Sequence, residues 1–203
     1  MSMSYSTGGG GSFKSIPAGT YIAVCNMLAD LGLQPGSPAF PDPKHKVAIR
    51  FEIPAERVEY EYDGVKKEGP MTATTTFTAS MNGKANLRKF LEGWRGQSFN
   101  DTEAGNFDIS KLLGVPALLT IVEYTNAKGE KKTKIGSAAR LMKGMEAPKA
   151  ENELLYYMPP DDESQFNKLP GWVQDAINNQ VREESEPGHV TSGGDAEDDS
   201  IPF

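Results

Sequence analysis

The sequence is poor in the side chains that most catalytic and metal sites use. Its 203 residues include one cysteine and two histidines. Cys25 lies in an apolar run with no second cysteine to pair with, so we expect a small buried residue. His45 lies in a proline-rich segment and His189 in the acidic C-terminal part, so neither completes a catalytic triad or a zinc site. These shortages predict a protein that is not an enzyme and that needs no cofactor or metal.

Two longer patterns are also missing. The phosphate-binding pattern GxxxxGK[ST] is absent, and the GGGGS at 8–12 has the composition of a linker. No apolar stretch approaches the length of a membrane span, and the first residues do not form a signal-peptide pattern. We therefore expect a cytoplasmic protein that does not contact a membrane.

Charge is distributed unevenly along the chain. Residues 1–150 carry 19 Lys and Arg against 15 Asp and Glu, whereas residues 151–203 carry two against 13. The net charge of −7 is therefore the sum of a mildly basic body (+4) and a strongly acidic C-terminal part (−11). This asymmetry is typical of a nucleic-acid binder that carries its own competing polyanion.

The composition predicts one domain with appendages. Residues 1–12 form a flexible, glycine-rich leader, and residues 13–146 are long enough to bury a core. Residues 147–182 form an extension in which LPGWVQDAINNQV predicts a helix with Trp172, Val173 and Ile177 on one apolar side. Packing of this helix on its own domain is the simpler reading, and association with a second subunit is the alternative. We expect residues 183–203 to form a disordered acidic tail.

The apolar pattern predicts three strands, one helix and two further strands. Apolar residues alternate with polar ones from Val47 to Ile53, as in a strand with one buried face. Leu87, Leu91 and Trp94 recur as on one side of a helix, with Arg88 on the opposite side and Asn82 as the expected N-cap. The predicted strands cover residues 19–28, 46–53, 71–78, 117–124 and 133–141, and an exposed arm at 57–62 turns at Asp63-Gly64.

This order of elements is that of the OB-fold. The OB-fold is a five-stranded, partly open barrel with a helix between strands 3 and 4, and many of its members bind oligonucleotides across strands 2 and 3. We therefore expect a mainly β protein with a five-stranded OB-fold barrel, a C-terminal helix and a disordered acidic tail. Topology alone does not establish function, because the same barrel carries many activities.

The last residues combine an acidic run with an apolar end. Asp198 and Asp199 precede Ile201, Pro202 and Phe203. An apolar hook beside carboxylates fits a hydrophobic pocket with a basic rim, a short-peptide mode of recognition. This ending resembles the C-terminal tip of bacterial and phage single-stranded DNA-binding proteins, which recruits replication and repair enzymes. The resemblance implies that these five residues dock onto such partners.

A second resemblance covers residues 83–124. A leucine-rich helix, the Trp94-Arg95-Gly96 sequence, a Phe-Asp pair and Leu112-Leu113-Gly114 precede an apolar strand. This order is similar to a segment of phage-encoded replication proteins of the OB type, which are held to bind single-stranded DNA. The resemblance implies binding of single-stranded DNA, and location in the host cytoplasm if the protein is phage-encoded.

A sequence-tolerant binder of single strands needs a cationic groove with aromatic platforms. The candidate cations are Lys46, Arg50, Lys84, Arg88, Lys89, Arg95, Lys128, Lys131, Lys132, Lys134 and Arg140. The four lysines at 128–134 fall within one predicted hairpin, and the alternative reading is a solvated loop tip. For Arg50 the alternative is an exposed ion pair with Glu52 or Glu56.

The candidate platforms are Tyr21, Tyr60, Tyr62, Phe77 and Tyr124. Each stacked base would contribute about 1–3 kcal/mol. Tyr60 and Tyr62 lie between charged residues, which favours exposure, whereas Phe77 could equally belong to the core.

Together these features predict a protein that coats and protects single-stranded DNA with little sequence preference during phage-type DNA replication, recombination or repair. Its tail would recruit partners and, without DNA, would fold back on the basic groove. Two alternatives stay open. The barrel could be an interaction adaptor that holds a protein or duplex DNA, or the protein could promote strand annealing.

Overall fold

The computed structural model describes residues 15–62, 64–159 and 163–181. The predicted leader, the acidic tail and the docking residues Asp198, Asp199, Ile201, Pro202 and Phe203 lie outside these ranges. The strands are β1 (Gly19–Gln34), β2 (Lys44–Tyr62), β3 (Val65–Thr78), β4 (Pro116–Thr125), β5 (Lys131–Ala139) and β6 (Leu155–Tyr157). The helices are α1 (Asn86–Arg95), α2 (Asp101–Gly105), α3 (Glu163–Phe166) and α4 (Gly171–Asn178), and a 3₁₀ turn spans Ile109–Leu112.

Five strands form one antiparallel sheet in the order β3-β2-β1-β4-β5. The first part of β1, Gly19 to Val24, pairs with β4, and the remainder of β1 pairs with β2. The sheet curls strongly into a half-barrel, so that β3 and β5 at its two ends approach each other. The predicted mainly β architecture is confirmed, and α1 lies between the third and fourth strands as predicted.

The inner core lies between the concave side of the sheet and α1. Leu87, Leu91 and Trp94 of α1 are buried, as their spacing predicts. The rings of Trp94 and Phe51 have centroids 5.0 Å apart. Each fully buried large apolar side chain contributes about 1.5–3 kcal/mol to the stability of the fold. Cys25 is buried in the same core, as expected.

A second apolar cluster covers the outer side of β1. Met27, Ala29 and Leu31 pack there against Val173 and Ile177 of α4, together with residues from β2 and β6. Both faces of β1 are therefore buried, because the C-terminal extension covers the outer one. Packing of α4 on its own domain is confirmed.

Three local details differ from the predictions. The N-cap of α1 is Ala85, whereas Asn82 accepts a hydrogen bond from the backbone N–H of Lys84 (3.2 Å) in the preceding turn. Helix α2 was not predicted; Asn100 and Glu103 begin it with a reciprocal capping box. Trp172 is 46 % exposed, although the apolar spacing placed it on the buried side of α4.

Candidate nucleic-acid interface

The described surface contains a polar groove beside the beginning of β2, the end of β3 and the beginning of α1. Its volume is about 530 Å³. Antiparallel pairing places Lys46 opposite Thr78, and Lys84 reaches the same groove from the loop that follows β3. The lining also includes Lys44, Thr76, Phe77, Ser80, Asn82, Ala85 and Asn86. We call this surface the lysine groove.

The lysine groove is electropositive. Lys44 and Lys84 are exposed, Lys46 is half-buried, and no Asp or Glu belongs to the described lining. None of the carboxylates in the described residues forms a salt bridge with these three lysines. Helix α1 begins at the same place, and neither a capping side chain nor a first-turn carboxylate compensates its N-terminal N–H groups. The groove therefore combines three lysine cations with the positive end of a helix dipole.

An exposed aromatic residue lies beside this groove. Phe40 is 69 % exposed, and the Nζ of Lys44 lies 5.6 Å from the centre of its ring. Phe77 lines the groove, but it is half-buried and its ring packs on Phe90 with centroids 4.9 Å apart. The structure thus places Phe77 largely in the inner core and offers Phe40 as the accessible ring. Neither Phe40 nor Lys44 was among the predicted site residues.

The hairpin of β4 and β5 carries a second cationic and aromatic surface. Tyr124 is 39 % exposed and pairs across the strands with Lys132. The Nζ of Lys134 lies 5.0 Å from the centre of the Tyr124 ring. We call Tyr124, Lys132 and Lys134 the hairpin surface.

Part of the positive charge of this hairpin is compensated. Lys131 pairs with Glu123 (3.0 Å) and Lys132 with Glu130 (3.5 Å), all with exposed side chains. The pKa of Glu130 is lowered, first by a hydrogen bond from Asn126 and then by the charge of Lys132. Lys128 lies at the exposed turn. Four lysines against two glutamates leave the hairpin with a net positive charge, as predicted.

Tyr60 lies on the long arm formed by β2 and β3. It is 47 % exposed, and its ring lies over Gly69 of the neighbouring strand. Arg57 fixes this arm through ion pairs with Glu68 (2.9 Å) and Glu151 (2.6 Å), and both hydrogen bonds raise its pKa. The side chain of Tyr62 lies outside the described part of the structure. Tyr60 is thus accessible, as predicted.

The guanidinium of Arg50 takes part in a buried polar network with Asn26 and Glu52. Its Nε donates to Oδ1 of Asn26 (2.9 Å), and Nδ2 of Asn26 donates to Oε2 of Glu52 (2.9 Å). Burial lowers the pKa of Arg50, and the charge of Glu52 opposes this effect. Glu52 also accepts hydrogen bonds from the backbone N–H groups of Glu151 and Asn152. Arg50 is therefore half-buried and held by Asn26, and it is not the exposed cation that the sequence suggested.

Arg88 is also a structural residue. It is only 8 % exposed, and its guanidinium donates to Asp101 (2.9 Å), Glu92 (3.2 Å) and the carbonyl oxygen of Phe99 (2.5 Å). The hydrogen bond to Asp101, and after it the one to Glu92, raise the pKa of Arg88. The prediction of an exposed Arg88 is wrong, because the segment around α2 folds over this side of α1.

The remaining predicted residues are spread over the surface. Arg140 is exposed and lies beside a separate, largely apolar cavity with Arg95. Lys89 is exposed on α1 outside the lysine groove. Tyr21 is half-buried, and its hydroxyl donates to the carbonyl oxygen of Pro17 (3.0 Å).

The structure brings the predicted residues together in two places. Lys46 and Lys84 meet in the lysine groove, where Gln34 at the end of β1 pairs with Lys44. The hairpin surface lies towards the beginning of β1, since Gly19 pairs with Ile121 of β4. The two surfaces therefore flank opposite ends of β1.

Comparison with known proteins does not assign the chain to a family. No protein-family model, curated protein or solved structure matches it. Among the described residues, no group of three or more His, Cys, Asp or Glu side chains could hold a metal ion. No helix in the described ranges is long and apolar enough to cross a membrane.

Proposed function

We propose that this protein binds single-stranded DNA with little sequence preference. The lysine groove carries the proposal. Lys44, Lys46 and Lys84 line it without a described carboxylate, and its hydroxyl and amide groups can donate hydrogen bonds to phosphate oxygens. These contacts read the backbone and not the bases, which explains a low sequence preference.

We further propose that the curled sheet is an OB-fold barrel. The order β3-β2-β1-β4-β5, the approach of β3 to β5 and the position of α1 between β3 and β4 support this assignment. In this fold, oligonucleotides contact strands 2 and 3 and the loops after strands 1 and 4. The lysine groove adjoins the beginning of β2 and the end of β3, and the hairpin surface adjoins the loop after β4.

Base stacking would supplement the phosphate contacts. Phe40 at the lysine groove and Tyr124 on the hairpin surface are each accessible and lie near a lysine. An accessible ring with a neighbouring cation can stack a base while the cation binds the adjacent phosphate. A DNA strand long enough to contact both surfaces would join Lys46, Lys84, Tyr124, Lys132 and Lys134 into one extended interface.

The biological setting follows from the sequence alone. The resemblance of the acidic ending to phage and bacterial single-stranded DNA-binding proteins supports protection of single strands during phage-type replication, recombination or repair. Asp198, Asp199, Ile201, Pro202 and Phe203 would then recruit partner proteins. Binding, and not catalysis, is the activity that we propose.

A salt titration with an oligothymidine strand and a matching duplex tests the proposal. We expect tight binding of the strand, weaker binding of the duplex, and a log–log salt slope of about −0.7 for each neutralised phosphate. Charge reversal of the three groove lysines (Lys44→Glu, Lys46→Glu and Lys84→Glu) should make this slope shallower by about 2.

A triple variant with the same change in net charge provides the control. Lys89, Lys143 and Lys149 are exposed and lie outside the lysine groove and the hairpin surface. Reversal of these three should leave the slope nearly unchanged. Equal losses in the two triple variants would mean that net charge, and not the groove, determines affinity. Equal affinity for the duplex would favour a duplex binder, and absence of binding to either DNA at low salt would favour an interaction adaptor.

A further inference from the structure

A second cavity differs from the lysine groove in its chemistry. It lies between α1, the 3₁₀ turn and the segment that follows β5, with a volume of about 410 Å³. Its apolar lining includes Trp94, Phe107, Leu112, Val115 and Leu141. The buried side chains of Trp94 and Leu91 form the floor of the cavity. The half-buried side chains around it can contact a ligand; they are Phe107, Leu112, Val115 and Leu141. We call this site the apolar cavity.

Cations surround the apolar cavity. Arg95, Lys111 and Arg140 line it, and Lys111 and Arg140 are exposed. Arg95 lies over the ring of Phe99, 4.2 Å from its centre, and Glu103 is 3.9 Å from its guanidinium. The described lining contains no Asp or Glu. The cavity therefore suits a ligand that combines an aromatic or aliphatic group with negative charges.

We propose that the acidic tail of the same molecule occupies this cavity. The phenyl ring of Phe203 and the side chain of Ile201 would fill the apolar interior, and Asp198 and Asp199 would face Lys111 and Arg140. The lysine groove suits this segment less well, because most of its lining is lysine, threonine, serine and asparagine, and Phe77 is its one large apolar side chain among the described residues. The apolar and charged parts of the tail thus both match the apolar cavity.

The tail is long enough to reach the cavity in the same molecule. The N–H of Val181 donates to the carbonyl oxygen of Leu33 (2.7 Å), which fixes the last described residue on the domain. The 17 residues from Val181 to Asp198 can span roughly 55–60 Å when extended. A body of this size has a radius of gyration of about 15 Å. The extended tail is longer than the diameter of a compact body of this radius of gyration, which brings the apolar cavity within reach.

Docking in this cavity would regulate the availability of the tail. An occupied cavity withholds Ile201 and Phe203 from other proteins, and the exposed rim lets salt or a competing polyanion weaken the contact. The site does not overlap the lysine groove, so the tail could be docked while the groove binds a ligand. This inference goes beyond the proposed DNA binding and does not depend on it.

Photocrosslinking of the full-length chain tests the proposal without nucleic acid. With p-benzoylphenylalanine in place of Phe203, irradiation of a dilute sample should crosslink position 203 to Phe107, Leu112, Val115 or Leu141. Mass spectrometry of the monomer band identifies the attachment site. Attachment to the lysine groove or the hairpin surface, crosslinks only between molecules, or no crosslink at all would each overturn the proposal.

Charge reversal at the rim provides the matched comparison. Lys111→Glu with Arg140→Glu should lower the intramolecular crosslink yield about fivefold or more, because two attractions become repulsions. Lys89→Glu with Lys149→Glu changes the net charge equally at exposed positions outside the cavity and should leave the yield within about twofold. Equal losses in both double variants would overturn the assignment of the rim residues.

Discussion

Replacement of Glu52 by alanine should strongly destabilise the protein. Glu52 is fully buried, and its carboxylate accepts hydrogen bonds from Nδ2 of Asn26 (2.9 Å) and Nδ2 of Asn152 (2.7 Å). It also accepts from the backbone N–H groups of Glu151 (2.6 Å) and Asn152 (3.1 Å). One side chain thus links β1, β2 and the start of the C-terminal extension, and alanine would leave these donors without their acceptor.

The size of the effect follows from the partners. A buried donor without an acceptor costs about 1–3 kcal/mol. The donors of residues 151 and 152 are partly accessible to water, so the amide of Asn26 and the nearby charge of Arg50 contribute most of the penalty. Hydrogen bonds to a charged group contribute about 1.5–3 kcal/mol each. With the Asn26 and Asn152 amide bonds lost together, we expect Glu52→Ala to lower the free energy of unfolding by about 3–6 kcal/mol, a large part of the 5–15 kcal/mol of a typical domain.

Urea unfolding followed by circular dichroism measures this change. Glu59→Ala is the control, because Glu59 is exposed on the same strand and should change the free energy of unfolding by less than about 0.5 kcal/mol. Glu52→Gln keeps one acceptor oxygen and should lie between the two. A loss below about 1 kcal/mol for Glu52→Ala would refute the reasoning, since water would then replace the carboxylate at little cost.

Three further outcomes can be measured independently. Burial raises the pKa of Cys25 from 9.0 to about 12, so deprotonation of the thiol favours the unfolded chain. The free energy of unfolding should therefore fall by about 1.4 kcal/mol between pH 7 and pH 10. Cys25→Ala should remove this part of the pH dependence. Gly96 ends α1 with φ of 70°, and Gly96→Ala should cost about 1 kcal/mol in urea unfolding, whereas Gly105→Ala, with open space around it, should cost less. Tyr124→Ala should weaken oligothymidine binding by about 1–3 kcal/mol in fluorescence titrations; an unchanged affinity would remove Tyr124 from the proposed interface.

Local periodicity predicted much of the fold. The alternation from Val47 to Ile53 and the helical spacing of Leu87, Leu91 and Trp94 depend only on which side of an element faces a core, and these side chains are buried as expected. Gly96, which ends α1 with a positive φ, is a local signal of the same kind. Such signals depend on residues close together in the sequence, so they can be recognised without knowing which segment packs against them.

The contacts of Arg50 and Arg88 could not be predicted from local periodicity. In the sequence, Arg50 and Arg88 look like other surface cations. Their burial depends on Asn26, 24 residues away, and on Phe99 and Asp101, which fold over α1. Likewise, the outer side of β1 is covered by segments about 130–150 residues further along the chain, and alternation within one strand does not reveal such a cover.

The composition of the lysine groove was partly predictable. Lys46 and Lys84 were predicted individually, but the structure was needed to show that they share one groove. Lys44 precedes Lys46 by two residues, the spacing that places side chains on the same face of a strand, so strand periodicity could have identified it. Phe40 lies among prolines in a loop, and no periodic signal marks it as exposed.

The short strand β6 has a consequence for the assembly of the protein. Strand β4 pairs with β1 only as far as Val24, and β6 then pairs with Met27, Leu28 and Ala29 on the edge that β4 leaves open. Unpaired backbone groups on an apolar strand are a template for strands of other molecules. The C-terminal extension therefore protects this part of β1 from edge-to-edge aggregation. A chain shortened to about residue 150 would expose unpaired backbone groups of an apolar strand in the middle of its own sheet.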